Sequence, residues 1–591
     1  MASARAEIVE LRLLEGPNLY FPRPAAKLTL RVGPWIEMPE DRFSGIAERA
    51  GASGRAGAPG SDLRRRAVAR LASRLTSRVA AASDVRLGVR SRPGHETDEI
   101  VVAFPWRHRG TATAAGNAIA TIMATLDGRR SVERLVKAAA EQVLSADPGD
   151  EPDVRDPDLR VISVTGTNGK TTVVRLLADL VRTARLRVAY SSTDGVFRDE
   201  NELVEEGDYS GFAGAAKALQ ERPDIAVLET ARGGILLRGV GVLHNDVAVV
   251  TNVSADHLGL LGIRTLDQLA EVKATVTRIT RPEGWVVLNA DDPRVLAMGR
   301  GASGLLWLCS MDPDHPAIRD VLREDGRATV PLDGWMTVLM GGRSHPLVPL
   351  VDVPLTMAGI SSTNVMNAMQ AASAALAVGL PERAVVRGLR SFVLDPERNP
   401  GRSNLFSLDG RIVLIDYAHN AAGMDGLIEI CDGLRRPTAD VWLAICTAGD
   451  RSDDILHDFA YRAARGADHL VVAELLPYLR GRDRQDIIDK LREGAFDGGV
   501  DSIDVYADEL AALRAMLGRS LRGDVIAVTA LAMRREVFTW IEQNGGRRLS
   551  PAAVKRIVTA GRTPGSTSKR TRRTRDRETV RAGGPKATSV R

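Results

Sequence analysis

A lysine that follows two closely spaced glycines and precedes two threonines, at the end of a β-forming run, suggests a definite chemistry. Residues 161 to 172 read VISVTGTNGKTT. Gly166, Thr167, Asn168 and Gly169 would form a turn whose backbone N–H groups approach phosphate oxygens, with no Cβ in the way at the glycines. A helix beginning near Lys170 would add its own unpaired N–H groups and its dipole. Lys170 supplies a mobile positive charge, Thr171 a hydroxyl for Mg²⁺, and Thr172 lies in the same cradle. The stricter pattern G-x-x-x-x-G-K-[ST] would place a glycine at 164, where Val164 stands, so this is a shortened variant. A nucleotide triphosphate, ATP or GTP, is the ligand that fits.

Other candidates lie far downstream. Glu229 closes the run DIAVLE, and a carboxylate at the carboxyl edge of a parallel sheet sits where ligands bind in such folds. It would hold a Mg²⁺ bridging the terminal phosphates; a helix cap or surface pair is the other use of a glutamate there. His257, in TNVSADHLG, follows a second strand-like run, and on its own such a histidine is merely hydrogen-bonded. Lys273 in LAEVKATV would ordinarily be a solvated helix lysine. The chain has only nine lysines against 71 arginines, which gives each lysine in an organised motif more weight. No Cys–His or Ser–His constellation calls for a protein nucleophile.

These residues need a scaffold. From residue 159, β-branched runs (VISVTG, RVAYSS, DIAVLET, DVAVVTNV, GWVVLNA) alternate with helical patterns, which predicts a mostly parallel sheet wrapped by helices. The region 301–355 is irregular, and a helix follows over about 363–379. After a loop near 390–403, RIVLIDYA, DVWLAICTAG, HLVVAEL and DVIAVTAL predict a smaller Rossmann-like α/β domain. Ahead of all this, two strand-like runs within 7–32, a Gly/Ala-rich stretch at 45–62 expected to be flexible, a helix at about 63–83, a strand at 99–107 and a helix at about 112–142 form an α+β unit. The expected division is an N-terminal α+β domain at 1–144, an acidic, proline-bearing linker at 145–158, a central P-loop α/β domain at 159–389, a C-terminal domain at 390–545 and a basic disordered tail at 546–591.

Length and composition agree with several domains, since 591 residues exceed what one core holds. No stretch reaches the ~20 apolar residues of a membrane span, and the N-terminus lacks a secretory h-region. Cys309, Cys431 and Cys446 have no metal-ligand spacing, which fits a reducing cytoplasm. The net charge of +5 is concentrated at the end: from residue 566, nine basic residues face two acidic ones. That is expected to be a solvated tail, and nucleic acid is not an expected partner.

The string GTNGKTT resembles the ATP loop of the Mur ligase superfamily. LETARGGIL (228–236), NVSADHLG (252–259), the lysine of LAEVKATV, LNADDP (288–293), PGR (400–402) and DYAHN (416–420) recur in that family's order. ETARGGIL, DHLG, YLRGR (478–482) and the N-terminal LLEGPNLYF are most similar to cyanophycin synthetase. The resemblance implies ATP and Mg²⁺ as cofactors. It implies a metal set of Thr171, Glu229, His257 and a carbamylated Lys273, an adenine contact from Asn289 with Asn364 and Asn367, and reach of Arg402 to the phosphates. Asp416 would reach the ribose, and His419 lies in the same motif. Two departures stand out: Thr363 precedes Asn364 where the family has histidine, and Ala421 follows DYAHN where it has proline.

The implied reaction is ADP-forming amide ligation. An acceptor carboxylate takes the γ-phosphoryl and the acyl phosphate is attacked by an amino acid or amine, with Lys170, Glu229, His257, Lys273 and Arg402 as the catalytic set. Cyanophycin synthetase also carries an ATP-grasp domain, and ~200 residues for one do not fit between 145 and the P-loop. The expected acceptor is therefore a peptide-like carboxylate, recognised in part by residues 1–144; a homo-oligomer is left open. A degenerate nucleotide-binding scaffold and another P-loop kinase or NTPase are the competing classes. The latter leaves ETARGGIL, DHLG and DYAHN without a role.

Overall fold

The computed structural model describes residues 5–127, 130–256 and 258–561. Three sheets organise the chain. In the first, Glu7–Leu14, Ala25–Arg31, Glu99–Pro105 and Arg90–Pro93 are antiparallel neighbours in that order. The helix Asp62–Ala82 covers one face, with Leu71, Ala72 and Leu75 fully buried. The helical pattern at 112–142 resolves into two helices, Arg109–Thr125 and Val132–Leu144; Ser131 starts the second by accepting the N–H of Arg134.

The stretch 45–62, expected to be flexible, is instead pinned. Arg64 is fully buried, and its guanidinium donates to the carbonyls of Ala56 (2.9 Å), Gly57 (2.8 Å) and Met38. One cation thereby satisfies backbone carbonyls of the loop and of the segment before it. The linker is also tied down: the N–H groups of Arg109 and Gly110 donate to Asp150 and Pro148, and Arg155 bridges to Val242.

The second sheet holds the phosphate loop. Its middle is five parallel strands in the order Thr280–Asn289, Asn245–Val250, Arg160–Thr165, Ile225–Glu229, Val188–Ser192. Arg160–Thr165 lies in the centre, and its run Val161, Ile162, Val164 is entirely buried, as a strand covered on both faces requires. The region 301–355 is more regular than its sequence suggests. Leu305–Cys309 and Arg327–Leu332 extend the parallel edge, and Trp335–Met340 with Arg343–Pro349 close it as an antiparallel ribbon. Helices Lys170–Thr183 and Ser362–Ala377 pack on this sheet in one core with Glu382–Ser391.

The first two units are not independent bodies. Leu14, Leu19, Tyr20, Phe21, Val101 and Ala103 share a single buried cluster with Leu228, Val240, Val272 and Leu288 of the central domain.

The third sheet has parallel strands Asp504–Tyr506, His469–Ala473, Val441–Ile445, Val525–Thr529 and Arg411–Asp416, then antiparallel Asn404–Leu408. The start of the expected disordered tail belongs to this domain. Arg547–Arg548 pairs with Asn404–Leu408, and the helix Pro551–Gly561 buries Val554 and Val558. The periodic apolar positions of PAAVKRIV outweigh the flanking basic residues. The arginine-rich run from 562 lies outside the described residues. No helix among the described residues is long and apolar enough to cross a membrane.

Candidate functional site

The phosphate loop joins the central strand to the helix Lys170–Thr183. Gly169 caps that helix at φ +83°, and a Cβ there would come within 2.3 Å of Asn367 Oδ1. At Gly166, φ +149°, a Cβ would meet Thr251 Oγ1 at 1.8 Å. Both glycines are therefore required by close approach as well as by backbone conformation. The segment Thr251–Ser254 braces the loop: Thr167 N donates to Asn252 O (2.9 Å), Asn168 N to Asn252 Oδ1 (2.9 Å), and Thr251 Oγ1 to Asn168 O (2.6 Å). Lys170 Nζ donates to Thr167 O at 2.8 Å, which keeps its ammonium over the loop.

The carboxyl ends of neighbouring strands bring the next groups in. Glu229 is 1% exposed; its two oxygens accept from Thr171 Oγ1 (2.9 Å) and Thr193 Oγ1 (2.9 Å). Thr171 and Glu229 thus present adjacent hard oxygen donors, which suit Mg²⁺ better than a soft metal. Among the described residues no three His, Cys, Asp or Glu side chains are grouped to hold a metal unaided. Mg²⁺ commonly takes one or two protein carboxylates and fills the rest of its shell with water and phosphate oxygens. His257 lies outside the described residues.

Lys273 is not a surface lysine. It ends the helix Leu266–Lys273, is 3% exposed, and donates to Gly166 O at 2.5 Å. Burial drives its amine well below the usual lysine range; the nearby Lys170 charge acts in the same direction, and Asp256 and Glu229 oppose it only in part. Lys273 lies four residues after the buried Leu269 and so shares its helix face, but the spacing does not say that this face is turned to the phosphate loop.

The C-terminal domain supplies the far wall. Arg402 Nη2 reaches across to Thr171 Oγ1 at 3.2 Å, its guanidinium stacks over Tyr417 (4.9 Å), and its buried Nε has no hydrogen-bond partner. Asp416 accepts from Ser403 N (2.8 Å) and Oγ (2.9 Å); burial holds its carboxyl above the ordinary range despite those bonds and Arg402. His419 Nδ1 faces Tyr417 O at 2.9 Å, and Nε2 lies 3.5 Å from Asp256. Asn289 donates to Thr251 O (3.0 Å), and Asn367 donates to Asn364 Oδ1 (3.1 Å), so these three amides also hold the cavity's own framework.

Every described candidate from the sequence (Gly166 to Thr172, Glu229, Lys273, Asn289, Asn364, Asn367, Arg402, Asp416 and His419) lines one cavity of about 970 Å³ between the two domains. Thr363, at the departure from the family pattern, lines it as well.

Several residues of this site carry no motif. Asp194 accepts from Arg175 (3.0 Å) and from Arg534 of the C-terminal domain (3.2 Å). Burial raises its carboxyl, but Arg402, Arg175 and Arg534 together outweigh that and hold it below the usual range. Arg451 lies 3.3 Å from Asp256, and the amides of Asn168 and Asn420 pair across the cleft at 2.9 and 3.1 Å. Asn168, Asp256 and Asn420 had a sequence signal, their places in GTNGKTT, NVSADHLG and DYAHN, whereas Asp194, Arg175, Arg534 and Arg451 had none.

Residues 164–375 match the Mur ligase middle domain, and residues 401–531 match the Mur ligase glutamate ligase domain. The chain belongs to the Mur ligase superfamily. Within this Mur ligase chain, the first match ends inside the helix Ser362–Ala377 and the second begins at Gly401, so the two meet across the cavity. The chain is 37% identical over 380 residues to a cyanophycin synthetase of Crocosphaera subtropica, covering 64% of this chain and 43% of that protein. It is 38% identical over 359 residues to one from Synechocystis sp., covering 60% and 40%. This Mur ligase chain thus spans about two fifths of those relatives' length. A bifunctional folylpolyglutamate synthase/dihydrofolate synthase with Mn, AMPPNP and L-glutamate bound aligns with 65% of this chain and 89% of that one, at 20% identity and a TM-score of 0.49.

Proposed function

We propose that the protein is an ATP-dependent, ADP-forming amide ligase. It would join an amino acid or amine to a carboxylate of a peptide-like acceptor. The observation that carries this is the meeting, in one interdomain cavity, of a phosphate loop, a hard-oxygen pair and an arginine donated from the second domain. Relatives named cyanophycin synthetase support it.

In this proposal the backbone N–H groups at Gly169–Thr171 and the Lys170 ammonium hold the β- and γ-phosphates. Arg402, whose Nε has no partner within the protein, takes charge that develops on the transferred phosphoryl group. Mg²⁺, bound through Thr171 and Glu229, would supply electrostatic clamping of the terminal phosphates. The acceptor carboxylate attacks the γ-phosphorus and ADP leaves. The amine then attacks the acyl carbon and inorganic phosphate leaves, so no protein side chain forms a covalent bond. Closure of the C-terminal domain completes the site and excludes water.

Lys273 has a further part. Its buried amine, whose hold on a proton burial weakens, would be the group that adds CO₂: the nitrogen bonds to carbon, a proton leaves to solvent, and the carbamate would stand beside Gly166 as a further oxygen donor.

The test is ADP release from purified protein with ATP, Mg²⁺, bicarbonate and a panel of acceptor peptides and amines. Turnover that requires both acceptor and amine supports a ligase. ATP binding with no such turnover across the panel sinks it. Replacement of Lys170 separates a ligase from a scaffold, because a scaffold keeps its function without that charge.

A further inference from the structure

Glu509, in the C-terminal domain, is a carboxylate that the phosphoryl chemistry does not use. It opens the helix Glu509–Arg519 and is fully buried. Its hydrogen-bond partners are all donors and none is a cation. Oε1 accepts from Leu531 N (2.8 Å), Ala532 N (2.9 Å) and Cys446 Sγ (3.6 Å), and Oε2 from Met533 N (2.9 Å). A carboxylate buried without a cation is costly, so a specific demand must hold it there. That demand is the turn 531–533: among the described residues none of its three N–H groups meets a backbone carbonyl. An apolar residue at 509 would leave them unpaired, and an amide would turn its own NH₂ towards them.

The turn joins a strand end to a helix start. Ala530 N donates to Asp416 O at 2.7 Å, which ties the end of Val525–Thr529 to the strand that carries Asp416. Leu531 then lines the cavity. Met533 is the N-cap of the helix Arg534–Gln543 and makes no side-chain cap bond. The Glu509 carboxylate stands at that end, where the helix dipole favours negative charge. Arg534, the first residue of the helix, bonds Asp194 of the central domain and stacks on Tyr417, the ring that also supports Arg402. Its stem covers the residue before Arg402: a Cβ on Gly401, at φ +69°, would meet Arg534 Cδ at 2.5 Å. The turn places Arg534, and Arg534 places Arg402.

We infer that Glu509 is a positioning residue for phosphoryl transfer. By holding three N–H groups of the turn it sets the start of the helix, and through Arg534 it aims Arg402 at the transferred group. The inference rests on the ligase proposal and deepens it. Glu509 does not line the cavity, so its loss acts on the rate of transfer and leaves the nucleotide held by the phosphate loop.

Two readouts are taken on the full chain: kcat and ATP KM in amine-dependent ADP release, and hydrogen exchange at 399–403 in ADP and Mg²⁺. Glu509→Gln should lower kcat by about tenfold to a hundredfold, the scale of a misplacement of about 1 Å. The ATP KM should stay within about twofold, and exchange at 399–403 should quicken about tenfold. Glu509→Asp, which keeps the charge, should recover part of the rate. Met516→Ala is the control: it empties buried volume in the same helix without touching the turn, and should leave kcat and exchange within about twofold. Arg534→Ala should slow ADP release as Glu509→Gln does, and the double variant should fall little below either, because both act through one chain of contacts. Should Glu509→Gln fail to fold, Arg534→Ala tests the same path from its other end, and an unchanged kcat there overturns the inference. It is also overturned if Glu509→Gln keeps the parent's kcat and exchange, if Met516→Ala loses as much rate, if kcat and ATP KM worsen together, or if the two single effects multiply in full. A parent without amine-dependent ADP release removes the ligase, and exchange at 399–403 then decides for or against Glu509 by itself.

Discussion

Asp194 offers a sharp test of how the site is assembled. Its side chain, 15% exposed, ties Arg175 of the central domain to Arg534 of the C-terminal domain. Arg534 also donates to Pro400 O (3.3 Å) and stacks over Tyr417 (5.2 Å), the ring that supports Arg402. Asp194→Ala leaves Arg175, whose side chain is 5% exposed, without its carboxylate, and a broken buried pair costs about 3 kcal/mol. Arg534→Ala removes a more exposed partner, 25%, and should cost about 1 kcal/mol. The double variant should fall short of the sum by about 0.5–1 kcal/mol, the coupling of a direct partly buried pair. Urea unfolding followed by tryptophan fluorescence measures all three, since Trp285 and Trp307 lie in the central domain and Trp442 and Trp540 in the C-terminal one. The pH dependence has a fixed sign. The folded carboxyl sits below the ordinary ~3.9, so the coupling is present above that value and is lost as the pH falls through the folded one. Strict additivity at neutral pH would refute the clasp, and with it the idea that Arg402 is placed by domain docking.

Three further outcomes follow from the same geometry. Lys273→Met should abolish ADP release. Because the folded amine titrates below the unfolded one, the parent's stability should rise with pH between those two values by up to about 1.4 kcal/mol per unit, and the variant should lack that slope in CO₂-free buffer. Gly169→Ala places a Cβ 2.3 Å from Asn367 Oδ1 at a positive φ, so calorimetry should show ADP affinity reduced at least about tenfold, a loss of about 1–2 kcal/mol from strain alone. Arg402→Lys keeps the charge but loses the fork and the stacking on Tyr417; single-turnover phosphoryl transfer should slow by about a hundredfold while ATP binding is nearly retained.

The amino-acid sequence by itself determined the chemistry of the phosphate loop and the class of scaffold. Gly166 and Gly169 flank a turn after a buried β run, and each physical demand there is local: positive φ, no Cβ, and a helix start. Alternating strand and helix patterns likewise announced two α/β domains, because burial on both sheet faces leaves continuous apolar runs. It misjudged segments whose order comes from a distant partner. The stretch 45–62 looks flexible until Arg64 enters its carbonyls, and residues 547–561 look like tail until an edge strand and an apolar groove receive them. Only the tertiary structure decided that Lys273 is buried against Gly166, that Asp194 and Arg534 meet across 340 positions, and that Glu509 anchors the turn before Arg534. Those facts depend on which faces of separate elements come together, and long-range packing of that kind leaves no period or spacing in the chain.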